Sequence, residues 1–393
     1  MNNAEAVFIV GSARTPMGDF TGSLSQCSAT ELGAVAIKGA LQRCGVKSDQ
    51  IDEVLMGCVL TAGLGQAPAR QASLAANIPT SVGCTTINKM CGSGMKAIML
   101  AYDLIKTGNA KIVVAGGMES MSNAPYLLPS MRSGQRLGHG QVVDHIFLDG
   151  LEDVQGQRLM GCYAEACAEK YSFSRAQQDE FASLSLTRAQ TASNKGCFSD
   201  EIEPVIVNAK SGSIIIDKDE HPSHHEVSKI TRLKPVFKTN GSVTAANSSS
   251  IADGAAAVVL MSESEANKRH ITPLAKIIAH QSYAQDPAWF TTAPIVAIDK
   301  LLQRLSLSKD DIDLFEINEA FAVVVMAAIK TLQLDINKVN IHGGACALGH
   351  PIGASGARII VTLLSELQQY DLQRGLAALC IGGGEATAML ISR

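Results

Sequence analysis

Aromatic side chains are scarce in this chain: they make up 4% of its 393 residues, and only one of them is tryptophan. By contrast, 46% of the residues are hydrophobic and 34 are glycine. This composition excludes a disordered or fibrous chain and indicates a large α/β core of small aliphatic side chains with closely packed backbones. The length predicts two to three domains.

Strong net charge and targeting signals are also lacking. The net charge of −4 argues against a nucleic acid or an anionic membrane as partner. Residues 1–5 contain no basic stretch and lead directly into a predicted strand at 7–10, and no apolar run is long enough to span a membrane. These absences predict a cytoplasmic protein without a signal peptide, a transit peptide or a membrane span.

Paired cysteines of the kind that bind metals are missing. The ten cysteines are scattered and none forms a Cys-x-x-Cys pair, so free thiols and no zinc site are predicted. The histidines of segment 221–225 look like a ligand set, but no cysteine or carboxylate set completes it, and a solvated loop is the favoured interpretation. Cys346 is interpreted as a packing residue.

The chain contains two related halves. Residues 91–100 and 353–362 each form a glycine-rich turn that opens an apolar helix, and they align best with Gly94 on Gly356. In both halves an apolar strand ending in glycines follows this helix, and two further strands precede the turn at similar offsets. Four landmarks in the same order indicate a duplicated α/β unit, with chance similarity of glycine-rich turns as the alternative.

A more polar region separates the halves and is predicted to be an inserted loop domain that covers the active site. It contains one clear helix, from Ser174 to about Asn194, which opens with a capping box formed by Ser174 and Gln177. The predicted limits are 1–120 with 250–272 for the first half, 121–249 for the loop domain and 273–393 for the second half.

Cys91 has the setting of a nucleophile. It lies in a tight turn at the N-terminus of the predicted helix, where partial positive charge and unpaired N–H groups favour the thiolate. Gly92 and Gly94 allow a substrate to approach the backbone closely. Three distant segments also place a reactive side chain at the end of a predicted secondary-structure element. They are 316–322, 343–356 and 380–384. If the halves face each other around a pseudo-twofold axis, Cys91, His350 and Cys380 converge.

These segments resemble, in their residues and in their order, the signature segments of the thiolase family. They are Asn-Lys-Met-Cys-Gly-Ser-Gly (88–94), Gly-Gly-Met-Glu-Ser-Met-Ser (116–122), Asn-Glu-Ala-Phe-Ala (318–322), Gly-His-Pro-Ile-Gly-Ala-Ser-Gly (349–356) and Cys-Ile-Gly-Gly-Gly (380–384). The resemblance covers almost the whole chain. It implies the thiolase fold: two duplicated βαβαβαββ halves with five-stranded sheets in a layered αβαβα core, plus an inserted loop domain.

The resemblance also implies a ping-pong mechanism with a role for each reactive residue. Cys91 accepts the acyl group as a thioester and His350 takes its proton. Cys380 removes a proton from C2 of a second acetyl-CoA. One oxyanion hole consists of His350 and a water held by Asn318, and the other consists of the backbone N–H groups of Cys91 and Gly382. No metal or redox cofactor is implied, because the coenzyme A thioester, a substrate, itself activates both carbons.

Further residues match coenzyme A contacts of the family. The pantetheine channel is matched by Leu151, Met160, Ser249 and Phe321. The candidates for the ribose phosphate are Lys229, Arg232 and Lys234. The chain departs from the family pattern at Leu159, where members acting on acetoacetyl-CoA usually carry histidine, and at Ser223, where many relatives carry arginine.

The implied activity is reversible condensation of two acetyl-CoA to acetoacetyl-CoA plus coenzyme A. A thiolase for longer 3-ketoacyl-CoA is the nearest alternative, and a catalytically silent acyl-CoA-binding homologue is the alternative from another class. A decarboxylating ketoacyl synthase fits less well, because Asn318 and Cys380 occupy positions where that group uses histidine. The apolar stretch 124–131, which leads into 137–139, predicts a homotetramer built as a dimer of dimers.

Overall fold

The structure is a computed structural model that describes residues 5–209 and 212–393. The prediction of no basic leader concerns residues 1–5, of which 1–4 lie outside the described residues. The first elements are β1 (Val7–Arg14), β2 (Gly18–Asp19), α1 (Ala29–Cys44), β3 (Glu53–Gly57), α2 (Pro68–Ala75), β4 (Gly83–Ile87), α3 (Ser93–Lys106) and β5 (Ile112–Ser120). Local signals explain their limits: α1, for example, begins after a capping box of Ser28 and Glu31 and ends at Gly45, whose φ is 67°.

In its described residues, the middle region contains short strands and three α-helices. Its elements are β6 (Tyr126–Leu127), β7 (Val143–Asp144), β8 (Glu152–Asp153), β9 (Arg158–Leu159), α4 (Met160–Tyr171), α5 (Arg175–Asn194), β10 (Val205–Ala209), β11 (Gly212–Ile216) and α6 (His221–His224). The predicted helix is confirmed as α5, with Ser174 accepting a hydrogen bond from the backbone N–H of Gln177. Helix α4 was not predicted, because its N-terminus has no side-chain cap to mark it.

The last region completes both halves. Its elements are β12 (Ala252–Ser262), α7 (Glu263–Arg269), β13 (Ala275–Ala284), α8 (Ala293–Leu305), β14 (Leu314–Ile317), α9 (Ala322–Leu332), α10 (Ala345–Leu348), α11 (Ser355–Gln369), β15 (Arg374–Ile381) and β16 (Glu385–Ser392). Among the described residues, no helix is both long and apolar enough to cross a membrane.

The main sheet shows the duplication directly. Its strand order is β4-β3-β5-β12-β1-β13-β16-β15-β14. In the first half β3 pairs in parallel with β4 and β5, and β12 runs antiparallel to β5 and β1. In the second half β14 and β15 are parallel, and β16 runs antiparallel to β15 and β13. Among the described residues, the first half contributes five strands to this order, and the second half contributes four. At the position that corresponds to β4, the second half has only a single parallel bridge, between Phe315 and Val339.

The core is layered as α-β-α-β-α. One hydrophobic cluster joins α1 and α2 to the outer face of the first half's strands, and another joins α8 and α9 to the outer face of the second half's strands. Between them, α3 and α11 pack together with the inner faces of both sets of strands. Strand β15 alternates accordingly: Leu379 faces the central layer and Cys380 faces the outer one. The predicted thiolase fold is confirmed.

The two glycine-rich turns contact each other at the aligned positions. A Cβ atom added to Gly94 would lie 2.8 Å from the backbone nitrogen of Ala357, and one added to Gly356 would lie 2.5 Å from that of Met95. Both distances are too short for any side chain. The N-terminal ends of α3 and α11 therefore meet backbone to backbone, which brings the turns before them, with Cys91 and His350, to the same region.

Candidate active site

Cys91 is held in a tight turn two residues before α3. The turn is closed by the backbone N–H of Gly92, which donates to the carbonyl of Lys89 at 3.0 Å. The hydroxyl of Ser93 reinforces it, accepting from the N–H of Lys89 at 2.8 Å and donating to the carbonyl of Met90 at 2.6 Å. Cys91 is half-buried and lines a cavity of about 730 Å³, so a ligand in that cavity can reach its sulfur.

The resting protonation state of Cys91 differs from the sequence-based expectation. Burial raises the pKa of Cys91 to about 11, and this effect outweighs the backbone N–H groups of Gly382 and Cys91, which lower it. The helix start alone therefore does not produce a thiolate, and that expectation was wrong. Cys91 rests as a neutral thiol, and its activation requires a base. The same two N–H groups that reach the sulfur are the ones predicted to form an oxyanion hole.

His350 has a ring nitrogen with a free lone pair that can accept a proton. Its Nδ1 lies 2.5 Å from the hydroxyl oxygen of Ser355, which in turn donates to the carbonyl of Pro351 at 3.0 Å. Because that hydroxyl proton is used by Pro351, Nδ1 of His350 carries the donated hydrogen and Nε2 keeps its lone pair. Nε2 is buried without a hydrogen-bond partner among the described residues. Burial and, secondarily, Arg358 lower the pKa of His350 to about 3, so the ring is neutral.

Cys380 lies near Cys91, although it is not among the residues that line the cavity described by the structure. It is fully buried near the end of β15. Burial raises its pKa well above the usual range, and the proximity of Cys91 raises it further. The pair therefore rests as two neutral thiols. For Cys380 to act as a base, its proton must first be passed to another group.

Asn318 follows β14 with its side chain completely buried. Its backbone N–H donates to the carbonyl of Ala378 at 2.9 Å, which fixes it beside β15. Neither Oδ1 nor Nδ2 has a hydrogen-bond partner in the part of the chain that the structure describes. A buried amide costs free energy unless it is satisfied, so these two atoms are suited to hold a water or a ligand.

One cavity of about 730 Å³ contains most of the predicted site residues. Those in its lining are Cys91, Leu151, Met160, Lys229, Ser249, Phe321, His350 and Gly382. Among the described residues, the lining leaves out Cys380, Asn318, Arg232 and Lys234. Ser249 is tied down by donating to the carbonyl of Ala320 at 3.0 Å, and Lys229 is bonded to Glu226 at 2.7 Å. All three cations are exposed, but Lys229 alone of the three lines the cavity and is therefore the better-placed one.

Two residues in the site were not predicted. Glu119 is fully buried and accepts hydrogen bonds from the backbone N–H groups of Val59, Leu60 and Gly353 at 2.9 to 3.1 Å. Burial raises the pKa of Glu119 to about 7. This carboxyl joins the segment after β3 to the turn that follows His350. Cys346, expected only to pack, also lines the cavity, and its sulfur donates to the carbonyl of Glu319 at 3.6 Å.

Comparison with known families and proteins agrees with this geometry. The family model described as "Thiolase, N-terminal domain" matches residues 7–264, and "Thiolase, C-terminal domain" matches residues 271–393. An acetyl-CoA acetyltransferase of Schizosaccharomyces pombe is 50% identical over 395 residues, covering 100% of both chains. Acetyl-CoA acetyltransferase 1 of Arabidopsis thaliana is 51% identical, covering 98% of this chain and 94% of its own.

Solved structures are similar over the same extent. The acetyl-CoA acetyltransferase of Syntrophomonas wolfei superposes with a TM-score of 0.97 at 39% identity, covering 100% of both chains. A thiolase from Ascaris suum in complex with coenzyme A gives 0.93 at 43% identity, covering 99% of this chain and 100% of that one. Both domains of the family model, the full-length relatives and the fold thus agree, and the chain belongs to the thiolase family.

Proposed function

We propose that this chain is an acetyl-CoA C-acetyltransferase, which interconverts two acetyl-CoA with acetoacetyl-CoA plus coenzyme A. The observation that carries the proposal is the cavity shared by Cys91 and His350: the thiol lies beside the backbone N–H groups of Cys91 and Gly382, and Nε2 of His350 has no hydrogen-bond partner among the described residues. Full-length relatives named acetyl-CoA acetyltransferase, at 50% and 51% identity, support the same activity.

The first half-reaction transfers an acetyl group to Cys91. Nε2 of His350 takes the proton of the thiol, and the sulfur attacks the carbonyl carbon of acetyl-CoA. The N–H groups of Cys91 and Gly382 stabilise the negative oxygen of the tetrahedral intermediate. When the intermediate collapses, the bond to coenzyme A breaks and its sulfur takes the proton of Cys380. This step leaves acetyl-Cys91, a protonated His350 and a Cys380 thiolate.

The second half-reaction forms the carbon–carbon bond. The Cys380 thiolate removes a proton from C2 of a second acetyl-CoA, and the enolate oxygen is stabilised by Nε2–H of His350 and by a water on Asn318. The enolate carbon attacks the acetyl carbonyl on Cys91. Cys91 leaves as a thiolate and recovers its proton from His350, so both thiols and the imidazole return to their resting states. The protein needs no metal or redox cofactor for these steps, and coenzyme A enters only as substrate and product.

The residues that line the cavity bear on the acyl-chain length of the preferred substrate. Leu151, Met160, Ser249 and Phe321 are proposed to contact pantetheine, with Lys229 and Arg232 near the ribose phosphate. Leu159 lines the cavity in place of a polar histidine, and this observation favours the second candidate, a broader-range 3-ketoacyl-CoA thiolase. An extra methylene in an apolar pocket changes discrimination by only about 1–3 kcal/mol. We therefore expect acetoacetyl-CoA to be preferred and C5–C6 substrates to be tolerated.

Thiolysis rates across 3-ketoacyl-CoA substrates from C4 to C16 test the proposal. The proposed enzyme acts best on acetoacetyl-CoA and does not act on substrates of C10 or longer. Efficient thiolysis of 3-ketodecanoyl-CoA would identify the broader-range enzyme instead. A silent acyl-CoA-binding homologue would show no thiolysis at any length, although Cys91, His350 and Cys380 are all present in this chain.

The proposal also includes an oligomeric state, domain limits and a cellular compartment. The exposed apolar side chains Tyr126, Leu128, Met131 and Leu137 support a homotetramer in which this segment, 126–137, contacts another subunit. The segment belongs to the proposed loop domain, 121–249, set between a first half of 1–120 with 250–272 and a second half of 273–393. Ten free thiols support a reducing, cytoplasmic compartment.

A further inference from the structure

Three histidines surround one carboxylate at the wall of the cavity. Oδ1 of Asp19 lies 3.0 Å from Nδ1 of His221, and Oδ2 lies 3.2 Å from Nδ1 of His224. The ring of His225 stacks on that of His221 with centroids 3.7 Å apart. The sequence predicted a solvated loop here because no cysteine or carboxylate set completes the ligand set. Asp19 is 202 positions away in the chain, and β2 brings it to them.

We propose that Asp19, His221 and His225 form a binding site for a divalent transition-metal ion of the Zn²⁺ class. Imidazole nitrogen and carboxylate oxygen are the ligands that Zn²⁺, Ni²⁺ and Cu²⁺ share. One donor atom from each of the three residues lies within 4.8 Å of the others. Tetrahedral Zn²⁺ bonds of about 2.0–2.2 Å separate neighbouring donors by roughly 3.3–3.6 Å, close to the observed 3.0 Å between Oδ1 of Asp19 and Nδ1 of His221.

Hydrogen bonds to Glu220 hold the backbone of Asp19 in place. The backbone N–H of Asp19 donates to Oε2 of Glu220 at 3.0 Å, and the same oxygen accepts from the N–H and the hydroxyl of Ser23 at 2.9 and 2.8 Å. Outer contacts of this kind orient metal ligands before the ion binds.

The position of the site gives the ion a structural effect. Asp19 belongs to β2, which pairs with β12 in the main sheet, whereas His221 and His225 belong to α6 and the residue after it. Asp19 and all three histidines also line the cavity that contains Cys91. A bound ion ties the α6 segment to the sheet along this wall. Since the ion binds the folded chain, it raises the melting temperature by mass action.

Titration with Co²⁺ tests the site directly and does not depend on acyl transfer. Ten free thiols compete for such ions, but Co²⁺ bound to thiolate has an intense near-ultraviolet charge-transfer band that imidazole and carboxylate ligands lack. The proposed site takes up one equivalent of Co²⁺ with weak visible bands and no thiolate band. His221→Ala should weaken this binding by more than about 10-fold, since even outer contacts of metal ligands contribute about 10–100-fold.

Two further variants make the test specific. Asp19→Asn keeps the size of the side chain and should weaken Co²⁺ binding as His221→Ala does, with circular dichroism showing that both remain folded. His270→Asn alters an exposed histidine whose φ of 55° suits asparagine, and it should bind Co²⁺ like the unaltered chain. Absence of Co²⁺ binding, binding with a thiolate band only, or equal binding by Asp19→Asn and the unaltered chain overturns the proposal, leaving simple imidazole–carboxylate hydrogen bonds.

Discussion

The hydroxyl oxygen of Ser355 lies 2.5 Å from Nδ1 of His350, and this contact fixes which nitrogen of the imidazole keeps a free lone pair. The hydroxyl passes its own hydrogen to the carbonyl of Pro351 at 3.0 Å. Ser355 is therefore a positioning residue: it touches no substrate but keeps the lone pair of His350 on Nε2, where a base is required.

Ser355→Ala removes this constraint, and the transfer of acetyl to Cys91 should slow by up to about 10²-fold, the lower part of the usual range for a general base. The fold should persist, because the carbonyl of Pro351 still accepts from the backbone N–H of residue 355 at 3.0 Å. Single-turnover acetylation measures the rate. Ser365→Ala, on the same helix, is the matched control and should leave it unchanged. Equal rates for both variants would show that Ser355 does not orient His350.

The dependence of Cys91 reactivity on pH follows from the two shifted pKa values. Transfer of the proton from Cys91 to His350 does not change the net number of bound protons, so the ion-pair fraction is constant between the pKa values of about 3 for His350 and about 11 for Cys91. Acetylation of Cys91 should therefore be nearly flat from about pH 5 to pH 9. A rise with a midpoint near about 6.5 or 8.5, the ordinary values of histidine and cysteine, would contradict the burial of this pair.

Gly382→Ala tests the space above the nucleophile. The added Cβ lies 3.5 Å from Sδ of Met160, an ordinary contact, so the melting temperature should hardly change. The methyl group nevertheless enters the space that the developing oxyanion needs, and acetylation should fall by about 10²–10³-fold, the usual contribution of an oxyanion-hole donor. Gly83→Ala is the control, because a Cβ there meets nothing within 4 Å. Unchanged acetylation in Gly382→Ala would place the oxyanion elsewhere.

Assembly can be tested at the exposed apolar segment 126–137. Light scattering at micromolar concentration should give the mass of a tetramer, and Leu137→Asp combined with Tyr126→Asp should give a smaller species. These side chains are 95% and 67% exposed in the single chain, so charge there disrupts only contacts between chains. Ile206→Asp, at 63% exposure on β10, should leave the tetramer intact. A monomer in the unaltered protein would contradict the proposed assembly.

Linear motifs were sufficient to predict the residues whose local setting is distinctive. The glycine-rich turn predicted Cys91, and alignment of Gly94 with Gly356 anticipated the contact between α3 and α11. Helix α5 was predicted from its capping box, whereas α4 has no side-chain cap and was missed. Local sequence thus identified the elements that carry their own start signals.

Features created by distant contacts could not be predicted in this way. The hydrogen-bond donors to Glu119 come from residues 59, 60 and 353, and Asp19 meets His221 across 202 positions. The prediction of a thiolate at Cys91 was wrong for a related reason. The sequence shows the helix start, but only the folded chain shows the burial whose effect on the pKa is larger. Long-range packing and desolvation decide these properties, and a short sequence motif predicts neither of them.

The division of labour between Cys91 and Cys380 is the central claim, and mass spectrometry of acetylated peptides tests it most directly. Cys380→Ser incubated with acetyl-CoA should carry one acetyl group on the peptide containing Cys91 and should form acetoacetyl-CoA about 10²–10⁴-fold more slowly, because an alcohol is a far weaker acid–base group. Cys91→Ser should lose both acetylation and condensation. Acetyl found on another cysteine, or near-normal condensation by Cys380→Ser, would contradict the account.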